Sequence, residues 1–191
     1  YDILSKIGEI KEPKINDILP SDKIFYYRNK MEYTFSGNPW YVNNETYEDV
    51  IIGLHVPKRF DKILNIDKCY INDPIFNDLN TLIKKKVNEL KLEPYDVKKH
   101  QGFLRFLVLR IGIHTREIMV NFVTSGYKPK LIKPIIDLII DNFPNVRSIV
   151  NTINAKKNNT VIGDTKLIYG DSYINEKIGN DNSIIDKFRK R

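Results

Sequence analysis

The chain has 191 residues, enough for one large domain whose core needs no disulfide or metal support. Hydrophobic residues make up 41% and charged residues 29%, a globular balance that excludes an intrinsically disordered chain. Lysine and arginine total 31 against 24 acidic residues, and the resulting net charge of +7 favours a polyanionic partner such as RNA.

The longest apolar run covers residues 131–140 and is interrupted by Lys133, Pro134 and Asp137. It is too short to cross a bilayer, so we expect no membrane partner. The single cysteine, Cys69, excludes an intramolecular disulfide and fits a reducing compartment. We therefore expect a cytoplasmic monomer.

Residues 1–10 carry isoleucine and leucine near helical spacing and predict a short helix. Residues 26–37 alternate with the two-residue period of a strand. One face of this predicted strand is mainly apolar and can pack on a core, with the side chains Tyr27, Asn29, Met31, Tyr33 and Phe35. The opposite face begins with Arg28 and Lys30, two cations suited to anionic oxygens. The alternative is an ordinary amphipathic strand with a solvated charged face.

Two helices are predicted further along the chain. Asp73 followed by Pro74 indicates a helix start, because aspartate caps the first turn and proline fits its first position. From there an apolar stripe recurs at helical spacing as far as Leu90. Residues 131–142 form the second predicted helix, and Pro144 ends it.

The remaining apolar segments predict strands, and residues 40–50 predict a polar loop or a short hairpin. The clearest pair is a hairpin formed by residues 103–113 and 117–124. The other predicted strands cover residues 51–56, 61–66, 146–154, 160–162 and 173–178. Together these elements predict an α+β fold, with a mainly antiparallel sheet covered on one face by the two main helices.

The motif Tyr27-Arg28-Asn29-Lys30, followed by a short aromatic strand, resembles the opening of the central region of RNA uracil-5 methyltransferases. Further segments resemble that family and occur in its order along nearly the whole chain: Gly53-Leu54-His55-Val56-Pro57, Ile66-Asp67-Lys68-Cys69, His100-Gln101-Gly102-Phe103-Leu104-Arg105, Glu117-Ile118-Met119-Val120, Asn151-Thr152-Ile153-Asn154 and Tyr173-Ile174-Asn175-Glu176. The resemblance implies an S-adenosylmethionine-dependent enzyme that methylates C5 of a uridine in RNA, with 23S rRNA expected in preference to tRNA.

The resemblance places the catalytic cysteine, the general base and the cofactor domain beyond Arg191, so we expect this chain to lack catalytic residues. It implies a central, RNA-engaging domain at residues 1–179. Residues 180–191 depart from the family pattern and form a predicted tail. The alternatives left open are a non-catalytic RNA-binding module and a basic domain that binds another protein.

Within that central domain we expect RNA to be contacted by basic and amide side chains near strand ends: Arg28, Asn29, Lys30, Lys58, Arg59, Arg105, Lys156 and Lys157. For each of these the alternative is an ordinary solvated charge. Cys69 occupies the position that closes a 4Fe-4S site in cluster-bearing members. Such a cluster needs four thiolates, so Cys69 would be a ligand only alongside upstream cysteines. In this chain alone it is expected to be a small buried apolar residue.

Overall fold

The computed structural model describes residues 1–40 and 50–179, and the backbone of residues 181–185. A π-helical turn at Ile3–Ile7 is followed by nine strands and two helices. In chain order these are β1 (Lys30–Ser36), β2 (Ile51–His55), β3 (Ile63–Asn65), α1 (Pro74–Glu89), β4 (Leu104–Ile111), β5 (Ile118–Thr124), α2 (Pro129–Asn142), β6 (Val146–Ile153), β7 (Asp164–Gly170), β8 (Ile174–Ile178) and β9 (Asp181–Ile185). The loop or hairpin expected between residues 40 and 50 lies almost entirely outside the described residues.

Seven strands form one sheet in the order β3-β2-β1-β4-β5-β6-β7. Every neighbouring pair in it is antiparallel except β5 and β6, which are connected by α2 and run parallel. Strands β8 and β9 form a separate antiparallel hairpin, so the segment expected to be a tail begins with a paired strand. The predicted α+β class with a mainly antiparallel sheet is confirmed.

Both helices pack on one face of the sheet and bury the main core. Tyr33, Leu107 and Phe122 from the central strands meet Ile83 of α1 and Ile135 of α2 there, all with 0% exposure. The α1 start is as predicted, because the Asp73 carboxylate accepts a hydrogen bond from the Ile75 N–H at 3.2 Å. Within the described residues no helix is both long and apolar enough to cross a membrane.

The second face of the sheet is covered by a turn of chain instead of a helix. Phe106, Val108 and Val123 form a small cluster on it, and Val161 from the segment between β6 and β7 packs against them. The same segment reaches across the sheet to β2, where Asn159 Nδ2 lies 3.5 Å from His55 Nε2. This crossing brings the β6–β7 connection close to β1 and β2.

Two strand predictions were wrong in their limits. Residues 160–162 are not a strand, because Val161 serves to cover the second face, and the β-ladder with β6 is formed by Asp164–Gly170 instead. The first strand begins at Lys30 and not at residue 26. Tyr26 has a φ of 56°, which interrupts an extended chain, and Tyr27 is 57% exposed.

Candidate nucleic-acid interface

The eight predicted RNA-contacting residues divide into three at the start of β1 and five elsewhere. Arg28, Asn29 and Lys30 lie where the strand begins. The other five belong to the turn after β2, to β4 and to the β6–β7 connection; none lines the nearby cleft itself, which is formed by the end of β1, the turn after β2 and the loop before β4. The strand registers place Leu104 and Ile153, and with them Arg105 and the turn of Lys156, at the Ser36 end of β1, whereas Lys58 and Arg59 follow the last residue of β2.

At the start of β1 the side chains are exposed and lightly held. Arg28 Nε donates a 2.9 Å hydrogen bond to the carbonyl of Lys30, and Lys30 Nζ forms a 2.6 Å ion pair with Glu32. The backbone is fixed more firmly, since the Asn29 carbonyl accepts a 3.0 Å hydrogen bond from the Ile111 N–H. We name Arg28, Asn29 and Lys30 the Arg28 end; its guanidinium N–H groups are accessible to an anion.

The turn after β2 carries two more of the predicted cations. Lys58 is exposed and has a φ of 63°. Arg59 stacks over the ring of Trp40, with its Cζ 5.7 Å from the ring centroid, and its Nε lies 3.4 Å from Asp61. Asp61 also forms a 2.6 Å ion pair with Lys98 from the loop before β4. The carboxylate therefore ties the two walls of the cleft together.

The hydrogen bond from Lys98, together with that from Arg59, lowers the pKa of Asp61 to about 2 in spite of its partial desolvation. This carboxylate is ionised at neutral pH. It offsets part of the positive charge that Arg59 and Lys98 would otherwise present to RNA.

Arg105 lies beneath the surface and not on it. It is 2% exposed, and it is the extra residue of a β-bulge, because Leu104 pairs with Thr124 and Phe106 with Val123. Its guanidinium donates to the carbonyls of Asn154 at 2.6 Å and Lys156 at 2.7 Å, and to that of Asn158.

These bonds correct the role that we expected of Arg105. Its two terminal NH₂ groups donate to backbone carbonyls, its buried Nε has no hydrogen-bond partner among the described residues, and its Cζ lies 4.1 Å from the centroid of the Tyr95 ring. Burial lowers the pKa of Arg105, yet arginine retains its charge in proteins. Arg105 therefore supports the loop that carries Lys156 and Lys157 and does not itself face RNA.

Lys156 and Lys157 are exposed at the tip of a turn organised by Asn154. The Asn154 side chain is 2% exposed; its oxygen accepts from the Lys156 N–H at 3.0 Å and its amide donates to the Thr160 carbonyl at 2.8 Å. Two buried side chains, Asn154 and Arg105, thus fix the turn from within. The two ammonium groups project from a rigid platform beside the cleft.

The loop before β4 forms the other wall of the cleft and contains the motif around His100. Asp96 accepts hydrogen bonds from the N–H groups of Lys98 and Lys99 at 2.7 and 2.9 Å. Gly102 has a φ of 103°, and a Cβ there would lie 2.0 Å from the Pro94 carbonyl oxygen. Only glycine fits this position. The glycine of this motif therefore allows the loop to close against Pro94.

The cleft encloses about 470 Å³, the size of a small-ligand site. Sequence reasoning did not assign a role to several residues of its walls: Phe60, Asp61, Glu93, Tyr95 and Lys98. The contacts of Glu93 and Tyr95 depend on a loop closure that spacing alone does not predict.

Cys69 lies half-buried between β3 and α1, with its backbone held by two hydrogen bonds to the Asn77 side chain. It is the chain's one cysteine, and among the described residues no group of three or more metal-binding side chains occurs. One thiol does not meet the four-thiolate requirement of a 4Fe-4S cluster. The residues of this chain do not by themselves fit that cofactor.

The chain matches no protein-family model. It is 36% identical over 169 residues to an uncharacterized RNA methyltransferase of Bacteroides thetaiotaomicron, covering 84% of this chain and 37% of that protein. It is 32% identical over 181 residues to one of Oceanobacillus iheyensis, covering 94% and 38%. The chain thus spans less than two fifths of the length of these curated relatives.

Its fold matches a crystal structure of the Pyrococcus abyssi tRNA (uracil-54, C5)-methyltransferase in complex with S-adenosyl-L-homocysteine. The TM-score is 0.70 and the identity 26%, over 97% of this chain and 40% of that one. The resemblance to RNA methyltransferases seen in the sequence motifs is confirmed.

Proposed function

We propose that this chain, which is similar over most of its length to RNA methyltransferases, is the RNA-engaging region of an S-adenosylmethionine-dependent RNA (uracil-5-)-methyltransferase. The observation that carries the proposal is that exposed cations from separate turns flank one cleft: Arg59 pairs with Asp61 of its wall, and Arg105, which lies over Tyr95 of its wall, holds the turn of Lys156 and Lys157. The two turns are far apart in the sequence. The uracil-5 activity and the cofactor are suggested by the P. abyssi enzyme, whose structure holds S-adenosyl-L-homocysteine.

In this proposal the exposed cations contact phosphates and position the RNA without reading its sequence. Lys156 and Lys157 contribute most at the cleft, because no acidic side chain among the described residues pairs with either of them. The Arg28 end provides a second, separate contact at the other end of β1. Two separated contacts hold structured RNA in one orientation.

The chemistry itself is assigned to parts of a longer protein. The P. abyssi protein is named for activity on tRNA, whereas the motifs led us to expect 23S rRNA. We retain rRNA as the proposed substrate and a cytoplasmic monomer as the proposed state. Competition between a 23S rRNA fragment and tRNA for binding to this chain separates the two substrates.

The central test is the salt dependence of RNA binding by the 191-residue chain, measured by fluorescence anisotropy. We expect the double variant Lys156→Ala/Lys157→Ala to bind more weakly and to lower the slope of log K against log salt by about 1 to 2, because each phosphate contact releases counterions. The matched control, Lys85→Ala/Lys130→Ala, removes the same charge from exposed positions of α1 and α2 on the opposite face.

Equal slopes for the two double variants would contradict the proposed interface, since only net charge would then matter. Absence of salt-dependent RNA binding by the unmodified chain would contradict the RNA-engaging role. That outcome would favour a domain that binds protein.

A further inference from the structure

The cleft beside the proposed phosphate contacts has an unusual aromatic wall. Phe60 is 67% exposed, although a phenylalanine side chain on a fixed turn gains nothing by facing water. The turn that carries it is held on both sides, by the ion pairs of Asp61 and by a 2.9 Å hydrogen bond from Asn38 Nδ2 to the Asp61 carbonyl. An exposed ring on a rigid wall is a surface on which a planar group can stack.

The facing wall supplies a second aromatic ring and an unused acceptor. Tyr95 lines the cleft, and the Arg105 guanidinium supports its ring from 4.1 Å. The Glu93 carboxylate is exposed, and no described residue donates a hydrogen bond to it or pairs with it. The backbone of Glu93 is nevertheless fixed, since its carbonyl accepts from the N–H groups of Phe103 and Leu104 at 3.1 and 3.0 Å.

The other carboxylates of the cleft already have partners within the protein. Asp61 pairs with Arg59 and Lys98, and Asp96 accepts from two backbone N–H groups of its own loop. Glu93 is thus the carboxylate of the described cleft residues that is left for a ligand. A carboxylate at a base-binding site selects an exocyclic amino group, as when it accepts from N4 of cytosine.

We propose that this cleft binds one unstacked base of single-stranded RNA that carries an exocyclic amino group, and that it prefers cytosine to uracil. The base stacks on Phe60 and donates its amino hydrogens to Glu93. The exposed Lys99 contacts the phosphate beside it. This inference rests on the proposed RNA-binding function and adds a base preference at a position distinct from the Arg28 end.

The test compares five-nucleotide oligocytidylate with oligouridylate, which have the same charge and nearly the same shape, so their phosphate contacts cancel. Affinities of the 191-residue chain are measured by anisotropy at one salt concentration. We expect oligocytidylate to bind at least about fivefold more tightly, the lower range for one amino-selective contact. Glu93→Gln should reduce the preference below about twofold, because an amide both donates and accepts.

Phe60→Ala should weaken both oligonucleotides by about tenfold, and Phe60→Trp should restore binding, as expected for stacking. The control Tyr169→Ala removes a ring that is 39% exposed on β7 and should leave both affinities unchanged. Thermal melting of each variant confirms that these surface substitutions leave the fold intact.

The outcomes separate this inference from the proposed function. If salt-dependent binding persists but the two oligonucleotides bind equally and Phe60→Ala has no effect, the base site is refuted and the phosphate interface stands. If Lys156→Ala/Lys157→Ala weakens both oligonucleotides and preserves their ratio, both ideas are supported. If neither oligonucleotide binds while longer RNA still binds in a salt-dependent way, the base site is refuted; if longer RNA does not bind either, the proposed function itself is contradicted.

Discussion

The two ends of β1 present cations to solvent in different ways. At the Arg28 end the charged groups are exposed, and their partners are close neighbours in sequence, such as Glu32 for Lys30. At the cleft the exposed Lys156 and Lys157 stand on a turn that is held from below by Arg105 and Asn154. The cations of the first group are held only by local contacts, whereas those of the second stand on a turn that buried side chains fix in place.

This difference separates binding from stability. A substitution at the Arg28 end removes a contact to the ligand and leaves the folded chain almost as it was. A substitution under the cleft removes the support for several residues at once, so that folding and binding fall together. Measuring both quantities for the same variants therefore tests whether the two ends differ as the contacts indicate.

The largest effect is expected for Arg105→Ala. The change leaves the carbonyls of Asn154, Lys156 and Asn158 without their donor and empties the space beside Tyr95. We expect the free energy of unfolding in urea to fall by about 3 kcal/mol. Arg28→Ala, the control from the other end, should stay within about 0.5 kcal/mol of the unmodified chain. Equal losses of unfolding free energy in the two variants would contradict the idea that the two ends of β1 differ in how much they support the fold.

A somewhat smaller loss is expected for Gly102→Ala. A Cβ at this position would lie 2.0 Å from the Pro94 carbonyl oxygen, and the residue has a φ of 103° that alanine rarely adopts. We expect about 2 kcal/mol of destabilisation from this strain, measured by urea unfolding. Gly126→Ala is the matched control, since a Cβ there meets no atom within 4 Å. The loop closure is unimportant if both variants unfold alike.

Local sequence signals predicted most of the fold. The pair Asp73 and Pro74 specified the start of α1, and the apolar segments 103–113 and 117–124 specified the hairpin of β4 and β5. Where the prediction failed, tertiary contacts decided. Val161 has strand-like neighbours, yet it packs across the second face of the sheet. Strand β7 is mostly exposed, so its sequence lacks a strong apolar pattern.

The site was predictable only in part for the same reason. Exposed cations such as Lys156 can be proposed from charge and turn position. The burial of Arg105 depends on a bulge and on the carbonyls of residues about fifty positions away, which no local pattern encodes. The cleft residues Phe60 and Glu93 likewise line one cleft from two loops that are far apart in the sequence.

Arg28→Ala, the control in the stability measurement on Arg105→Ala, is expected to have a moderate effect on RNA affinity. An exposed guanidinium that contacts one phosphate contributes about 1 kcal/mol, so the affinity should fall several-fold and the salt slope should decrease by about 1. Anisotropy titrations at several salt concentrations measure both. Affinity that is unchanged across this range would limit the interface to the cleft.

The smallest effect concerns Asp61, which joins the two walls of the cleft. Its pKa of about 2 lies below the ordinary 3.8, mainly because Lys98 donates to it, so its ionised form favours the folded state. This contribution is fully present above about pH 4 and is lost as the pH falls towards 2. We therefore expect the unmodified chain to have a higher melting temperature than Asp61→Asn at pH 6. This gap between the two melting temperatures should close at pH 2. The control Asp78→Asn, on the exposed side of α1, should show no such convergence. A gap that persists at pH 2 would mean that Asp61 acts through packing and that the cleft walls are not joined by charge.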